Sequence, residues 1–550
     1  MPGQTLSAAP KATAEQTSLK QWVAELDKAG LLYRHDREAR VDELPQIMED
    51  HPAQAVFVER VRDCDFPFLA NAYATPEMCA LALGCEPSRV GLEIGERTAT
   101  PVPAKLVDTA PCKEVVVRGD DVDLTILPLF SYHELDGQAY VNCGRIVSRN
   151  PDTGAQNDAI QRLMFRTPNL VNIDMRALGH GGSINAHRYH DAGQDMPIAV
   201  VIGGPTLEII SSMMRLPEQA IDAWDKLGGF LGGPAEVVKC ETSDLTVPAN
   251  AEIVLEGRVI TSEGAVHDEG PYGEYTGTYG GGDEILARNW NVVIDCVTYR
   301  RDAIYQQATV AGLHPGRTDM YIWSASIEGE LYMELKHAGI HVLDVRIPAA
   351  SCSNIGYARI KQVSGGDSKQ TLATMLAANR SYMPKLAYVF DEDTDIRDDD
   401  QVTWAQAWKY DPGAGTVVIP GQNVIPLDPT LTKDHPPYTV TKIGFDCTLP
   451  PDHKAGAATF ATVPPPIDQP ASAEPLDEAA LVEQMTAFLE EKPRTWYEIL
   501  QHFAGQPYPP VYRAFGQLRP KLGRRVDLIP TFPYTFSDTE FTGGNGGPRS

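Results

Sequence analysis

Between Glu269 and Gly280 the chain reads E-G-P-Y-G-E-Y-T-G-T-Y-G, with four glycines and a proline in twelve residues. The rest of the chain is read as organised around this stretch. It carries two carboxylates, Glu269 and Glu274, five residues apart across a Pro-Tyr-Gly break. On a plain strand side chains alternate faces, so an odd spacing would send the two acids to opposite sides. Pro271 fixes its own φ, and Gly270 and Gly273 permit conformations that other residues resist, so the segment can turn and aim both acids one way. Two converging carboxylates do not both stay ionised unless a cation sits between them, which makes one of them a candidate proton carrier near neutral pH. A glycine-rich surface loop with two solvated acids fits the same letters.

Composition narrows the field. A chain of 550 residues has room for three or four domains, and its 43% hydrophobic and 22% charged content is that of a soluble globular protein. The net charge of −27 argues against a general nucleic-acid binder or a binder of anionic membranes, though not against a small anionic substrate in a local pocket. Nine cysteines without a C-x-x-C pair suggest reduced thiols in a cytoplasmic protein. No apolar h-region follows Met1 and no apolar run reaches membrane-spanning length, so neither a secretory signal nor a membrane span is expected.

In chain order, residues 1–17 are expected to be disordered. Ser18 with Gln21 fits a capping box ahead of a helix whose apolar face is Leu19, Trp22, Val23 and Leu26, and Gly30 stops it. Alternating runs at Ala55–Val61 and Glu114–Arg118 read as strands, making 18–120 a mixed α/β domain. Over 121–300 strands dominate, at Tyr140–Ser148, Ile198–Gly203, Val237–Lys239, Ala251–Val259 and Trp290–Tyr299, with a turn at Asp152–Gly154 and a helix opening at Leu207–Met213; this suggests a barrel-like sheet. Over 301–447 helix and strand alternate again, with strands at Ile340–Ile347, Ala358–Val363 and Leu386–Phe390 and a helix at Ser368–Asn379, a second α/β domain. The acidic run Asp391–Asp400 reads as a solvated loop, with a cation site as the alternative. Seven prolines in 448–475 mark a linker. Residues 476–550 form a small winged-helix-like module: helices at Leu476–Leu489, Thr495–Phe503 and Pro510–Leu518, a strand pair at Val526–Phe536 and a disordered tail from Gly543. Its Arg513, Arg519, Lys521, Arg524 and Arg525 raise DNA contact as a question, against a docking role.

The run E-G-P-Y-G-E-Y-T-G closely resembles the signature segment of the UbiD family of prenylated-FMN-dependent (de)carboxylases, and the resemblance extends over about 18–450. It is strongest at 157–162, 236–257 and 269–280. The resemblance implies an α/β (α+β) fold with a central split β-barrel flavin domain flanked by α/β domains, the second of them making dimer contacts. It implies an enzyme, a carboxy-lyase that removes or adds CO2 non-oxidatively and reversibly on an aromatic or heteroaromatic (phenolic, pyrrole- or indole-type) acid. It also implies prenylated FMN supplied by a flavin prenyltransferase, Mn²⁺ (or Mg²⁺) and K⁺, and a homodimer or higher oligomer.

Residue by residue, the family's N-x-x-x-x-R pattern falls on Asn157 and Arg162, and its metal histidine on His180 in G-H-G-G. Asn, His and a carboxylate suit Mn²⁺ or Mg²⁺ better than zinc. The family's third ligand, a glutamate five residues after a proline, is replaced by Asp222 when counted from Pro217, whereas counting back from Val237–Lys239 lands on Ala223. Backbone carbonyls of Ser211–Met213 would be the potassium candidates. The family's Glu-Arg-Glu network falls on Glu269, Arg162 and Glu274. In it the planar, permanently charged Arg162 grips the substrate carboxylate, Glu269 fixes its orientation, and Glu274 protonates the carbon that CO2 leaves. Lys385 is a surface lysine or a contact to the flavin phosphate. The alternatives are a polyprenyl-hydroxybenzoate decarboxylase of quinone biosynthesis, a metal hydrolase using His180, His187 and His190, and a flavin-binding regulator whose C-terminal module touches DNA.

Overall fold

The computed structural model describes residues 18–175, 181–215, 221–279, 287–310, 321–377, 384–425, 427–431, 439–449, 466–468, 474–524 and 534–536. His180, residues 1–17, most of 448–475, Arg525 and the tail from Gly543 lie outside them. Two compact units are formed, 1–448 and 449–550. No described helix is long and apolar enough to cross a membrane.

The larger unit starts as its capping signal predicts. Ser18 accepts from the Gln21 amide at 3.2 Å, and Leu19, Trp22, Val23 and Leu26 on helix Leu19–Lys28 are buried. Behind it a four-stranded sheet runs in the order Leu32–His35, Ala55–Val58, Phe68–Ala70, Tyr305–Gln306, so a short strand from beyond residue 300 returns to complete the first sheet. Helix Val90–Thr98 then crosses helix Tyr321–His337 at backbone contact. A Cβ on Gly95 would lie 2.7 Å from the Gly329 carbonyl oxygen, and one on Gly329 would lie 2.6 Å from that of Gly91.

The central sheet has ten strands, of which eight form a continuous path: Tyr140–Val141, Leu163–Thr167, Leu170–Ile173, Ala287–Tyr299, Ile253–Val259, Met196–Ile202, Arg145–Arg149, Gln156–Ile160. Val115–Arg118 and His267–Glu269 add to the long strand Ala287–Tyr299. Strands Gln156–Ile160 and Leu163–Thr167 lie toward opposite ends of that path, yet only Gln161 and Arg162 separate them. Two residues span well under 10 Å, about 3.5 Å each when extended. The sheet therefore curls until its two edges approach, a split barrel whose seam is bridged at Arg162. Valines, isoleucines and leucines from alternate positions fill its interior, among them Ile146, Leu163, Val171, Ile198, Val200, Leu255 and Val292. The strand expected at Tyr140–Ser148 is two strands. Its middle breaks because the Asn142 and Cys143 amides donate to the Gln307 side chain, at 2.7 and 3.2 Å, rather than to a neighbouring strand.

A five-stranded sheet follows, in the order Val342–Arg346, Ile355–Ile360, Leu386–Phe390, Thr439–Cys447, Thr416–Asn423, with helix Asp367–Ala377 packed on it. The acidic run in this region departs from a solvated loop. Asp391 is buried, and the ammonium of buried Lys409 donates to Asp393 at 2.6 Å and lies 3.5 Å from Asp391, while Asp398 caps helix Asp399–Trp408. The cation among these acids is a lysine of the same chain. Lys385 likewise departs from a free surface lysine, donating to Asp428 at 2.9 Å and Thr430 at 2.8 Å.

The smaller unit packs helices Glu478–Glu491, Trp496–His502 and Tyr508–Leu518 with an antiparallel pair, Leu522–Arg524 and Tyr534–Phe536, around Leu481, Met485, Ile499, Val511 and Leu522. The pair starts before the expected Val526, because the chain enters it directly from Leu518 through a single turn at Arg519–Lys521. Arg513 is paired with Glu478 at 2.8 Å, and Arg519 donates to the Leu522 carbonyl and lies over the Tyr534 ring. Both basic side chains are engaged within the module.

Candidate active site

Arg162 is fixed by the seam. The Gln161 amide donates to the Gly144 carbonyl at 3.1 Å, which ends one strand and turns the chain into the next. Glu269 closes strand His267–Glu269, opposite Ala287, and the Asn289 side-chain amide donates to its carboxylate at 3.1 Å. Beyond it the chain folds as a small loop. The Glu274 amide donates to the Thr278 carbonyl at 2.9 Å, and Gly277 sits at φ 81°, a left-handed position that favours glycine. Gly273 is required by close approach, since a Cβ there would lie 2.1 Å from His133 Nδ1. The loop is tied down by Asp136, which accepts from the amides of Tyr132, His133 and Gly273 at 2.9–3.0 Å. Burial alone would raise the Asp136 carboxyl, but His133 and these amides outweigh it and hold it below the usual carboxylate range.

The result is a convergence of acids on one guanidinium. Arg162 grips Glu269 in two contacts, Nε to Oε1 at 2.8 Å and Nη2 to Oε2 at 2.7 Å, and its Nη1 donates to Glu274 Oε1 at 2.6 Å. Asp174 stands 3.0 Å from Nη2. The guanidinium lies over the Tyr272 ring, 4.5 Å from its centroid, and the Tyr272 hydroxyl donates to Asn142 at 3.0 Å. Burial opposes the charge on Arg162, yet the carboxylates of Glu274, Asp174 and Glu269 raise its pKa well above the ordinary arginine value. Glu269 and Glu274 are thus buried around a cation and are not the solvated loop acids that the sequence also allowed.

A second group of polar atoms lies along strand Gln156–Ile160. The Asn157 Nδ2, the Gln161 Oε1 and the Ser183 hydroxyl are buried and have no partner among the described residues. They gather at the first turn of helix Gly181–Asp191, where a Cβ on Gly182 would come 3.2 Å from Gln161 and 3.9 Å from Asn157. A helix N-terminus with unpartnered polar groups and a glycine at its face suits an anionic group. Asp222 meets the start of the same strand: its carboxylate accepts from the Gln156 amide at 2.8 Å and caps helix Ala223–Leu231 through the Trp224 amide at 3.0 Å. Burial pushes the Asp222 carboxyl up against these two amides. An exchangeable amide and a carboxylate are a donor set that fits a hard divalent cation. The third expected ligand, His180, lies outside the described residues, and no cluster of three His, Cys, Asp or Glu side chains suited to a metal occurs among the described residues. His187 and His190 pack elsewhere, each with Nδ1 at 2.8 Å from a carbonyl oxygen (Ser183 and Thr261) and its ring against Trp290.

Sequence reasoning missed Asp174, Tyr272 and Asn289 at the site. Asp174 had a signal: strands Leu163–Thr167 and Leu170–Ile173 form a hairpin around Pro168-Asn169, so the residue before the first strand and the residue after the second come side by side. Tyr272 was inside the motif but was read only as part of its break.

Models of the 3-octaprenyl-4-hydroxybenzoate carboxy-lyase N-terminal, Rift-related and C-terminal domains match residues 23–98, 105–314 and 320–447. The chain is 28% identical over 428 residues to the anhydromevalonate phosphate decarboxylase of Methanothermobacter thermautotrophicus, covering 77% of this chain and 96% of that one. The structure of the UbiD-class enzyme HmfF from Pelotomaculum thermopropionicum in complex with FMN matches with a TM-score of 0.73 at 26% identity, covering 81% of this chain and 97% of that one. Its evolved dimeric form, in complex with prFMN, matches with a TM-score of 0.69 at 27% identity over 79% and 96% of the two chains. Vanillic acid decarboxylase from Sedimentibacter hydroxybenzoicus, in closed form, gives a TM-score of 0.70 at 25% identity over 86% and 99%.

Proposed function

This chain belongs to the UbiD family of carboxy-lyases, and from that premise we propose that it decarboxylates an aromatic or heteroaromatic acid, non-oxidatively and reversibly, with the Arg162 cluster as its reacting centre. The observation that carries the reading is one part-buried guanidinium shared by the buried acids Glu269 and Glu274. When bound, prenylated FMN supplies the electron sink that no side chain provides. Asn157, Asp222 and His180 would hold Mn²⁺ or Mg²⁺ against its phosphate, and the first turn of helix Gly181–Asp191 supports an anion there.

The division of labour follows from the contacts that Arg162 makes, two to Glu269 and one to Glu274. An incoming carboxylate needs N–H groups that these acids now occupy, and the Glu274 contact is the easier to displace. Glu269 stays as the orienting anion. Glu274, released from the guanidinium on its glycine-flanked loop, takes up a proton from solvent and delivers it to the substrate carbon once the C–CO2 bond has broken, returning to the carboxylate. In the carboxylation direction it removes that proton.

A non-aromatic acid is the second reading, favoured by the relative that acts on anhydromevalonate phosphate. Protein co-expressed with a flavin prenyltransferase, checked by its visible spectrum and offered a panel of aromatic, heteroaromatic and unsaturated aliphatic acids, tests both readings. CO2 release should require the bound flavin. Full activity in flavin-free protein would overturn the proposal, and turnover confined to aliphatic acids would select the second reading.

A further inference from the structure

The resemblance places potassium on the carbonyls of Ser211–Met213, and in this chain a lysine ammonium meets the next carbonyl along, that of Met214. Helix Thr206–Met213 ends at the carbonyls that would serve as potassium ligands, with Met214 as the capping residue. A helix C-terminus carries unpaired carbonyl oxygens and a partial negative charge, which a cation satisfies. Here one is already present. Lys226, one helical turn beyond Asp222 on helix Ala223–Leu231, is 5% exposed, and its Nζ donates to the Met214 carbonyl oxygen at 2.9 Å. Burial pulls its pKa down to about 8; the carboxylates of Asp158 and Asp222 favour the charged form, and the Arg145 guanidinium opposes it. The Lys226 backbone N–H donates to the Asp222 carbonyl at 3.1 Å, so the residue joins the turn of a candidate metal ligand to the helix end.

We propose that the Lys226 ammonium takes the place of a monovalent metal ion beside the cofactor pocket, so that this chain assembles its site with a divalent ion alone and is indifferent to potassium. The proposal rests on the reading of Asn157 and Asp222 as the pocket's metal side. A protonated amine and a potassium ion carry the same unit charge and both favour carbonyl and carboxylate oxygens. The covalent cation has the advantage that no ion is drawn from solution and immobilised. The same arrangement occurs in the C-terminal sheet region, where Lys409 stands among Asp391, Asp393 and Thr394.

The test compares full-length protein, co-expressed with a flavin prenyltransferase, in buffers of potassium, sodium or choline chloride. Thermal midpoint, flavin content by absorbance and thallium(I) binding as a potassium probe are read in each. The wild-type chain should show the same midpoint and flavin content in all three and no stoichiometric thallium. Lys226→Met should lose flavin in choline, regain it in potassium and bind one thallium ion per chain. Stoichiometric thallium on the wild-type chain, or flavin content that rises with potassium, would overturn the proposal. If Lys226→Met does not fold, the wild-type measurements decide alone. Absence of flavin in every buffer would count against the cofactor reading instead, while thallium binding and midpoint still judge Lys226.

Discussion

Two arginines, one on a strand and one between two strands, each gather acids, and they are built for opposite purposes. Arg145 has no exposed side-chain surface; its Nη1 meets Asp158 at 2.9 Å and its Nη2 meets Glu208 at 2.5 Å. All three residues sit within regular elements: strand Arg145–Arg149, strand Gln156–Ile160 and helix Thr206–Met213. Arg162 keeps 11% of its side-chain surface, lies between strands, and takes one of its acids from a loop built on glycine. The same residue types therefore make a sealed tie in one place and an openable clamp in the other. What separates them is the backbone that carries the acids.

The largest expected effects come from removing each guanidinium. Arg145→Met leaves Asp158 and Glu208 buried without their cation and should cost about 3–5 kcal/mol of stability, read from urea unfolding, while flavin content per folded molecule is retained. Arg162→Met should fold with a smaller loss, because water reaches it, and should lower turnover by about 10²–10³ or more through lost charge stabilisation. Equal stability losses in the two variants would erase the distinction.

Next in size is Glu274→Gln, which keeps the shape but removes the acidic proton. Turnover and substrate hydrogen–deuterium exchange should fall together by about 10², with flavin and metal content unchanged. A variant within a few-fold of wild type would return the proton to Glu269.

The sealed tie should also leave a mark on the pH dependence of stability. Burial raises the Glu208 carboxyl from 4.5 to about 7, against the pull of Arg145. A folded value above the unfolded one gives stability that is present below about pH 4.5 and lost as pH rises through about 7. Glu208→Gln should remove only part of that decline, since Glu252 and Glu328 are raised to about 7 as well and Asp158 and Asp222 are raised too. Urea midpoints across this range check it, and an unchanged slope would assign the decline to the other carboxyls. The smallest effect is expected for Tyr272→Phe, which loses the hydrogen bond to Asn142 but keeps the ring under Arg162, costing about 1 kcal/mol with turnover within a few-fold.

Much of this was legible in the letters because the governing physics is local. The Ser18 cap, the apolar face of the first helix and the strands around Ile198, Val254 and Val293 are periodic patterns over a few residues. Arg162, Glu269 and Glu274 were legible through motif resemblance; spacing alone left the surface-loop reading open. What stayed hidden depends on distant partners. Helix Tyr321–His337 is buried on nearly all sides and so lacks the one-sided periodicity that marks an amphipathic helix. Asp391 looked solvated because its counter-charge, Lys409, comes from the far end of the next helix. Lys226 carries no signal in the sequence, because its partner is the end of another helix.

The glycine crossing of helices Val90–Thr98 and Tyr321–His337 has a consequence for how sequence variation in this chain should be interpreted. At Gly91, Gly95 and Gly329 even a methyl group would meet backbone or a neighbouring side chain at 2.4–2.7 Å. In a saturation screen scored on activity, these three positions should tolerate no replacement and so score like reacting residues, although none belongs to the Arg162 cluster. Intolerance there would report the distance between two helix axes, and a screen scored on soluble yield would separate the two meanings.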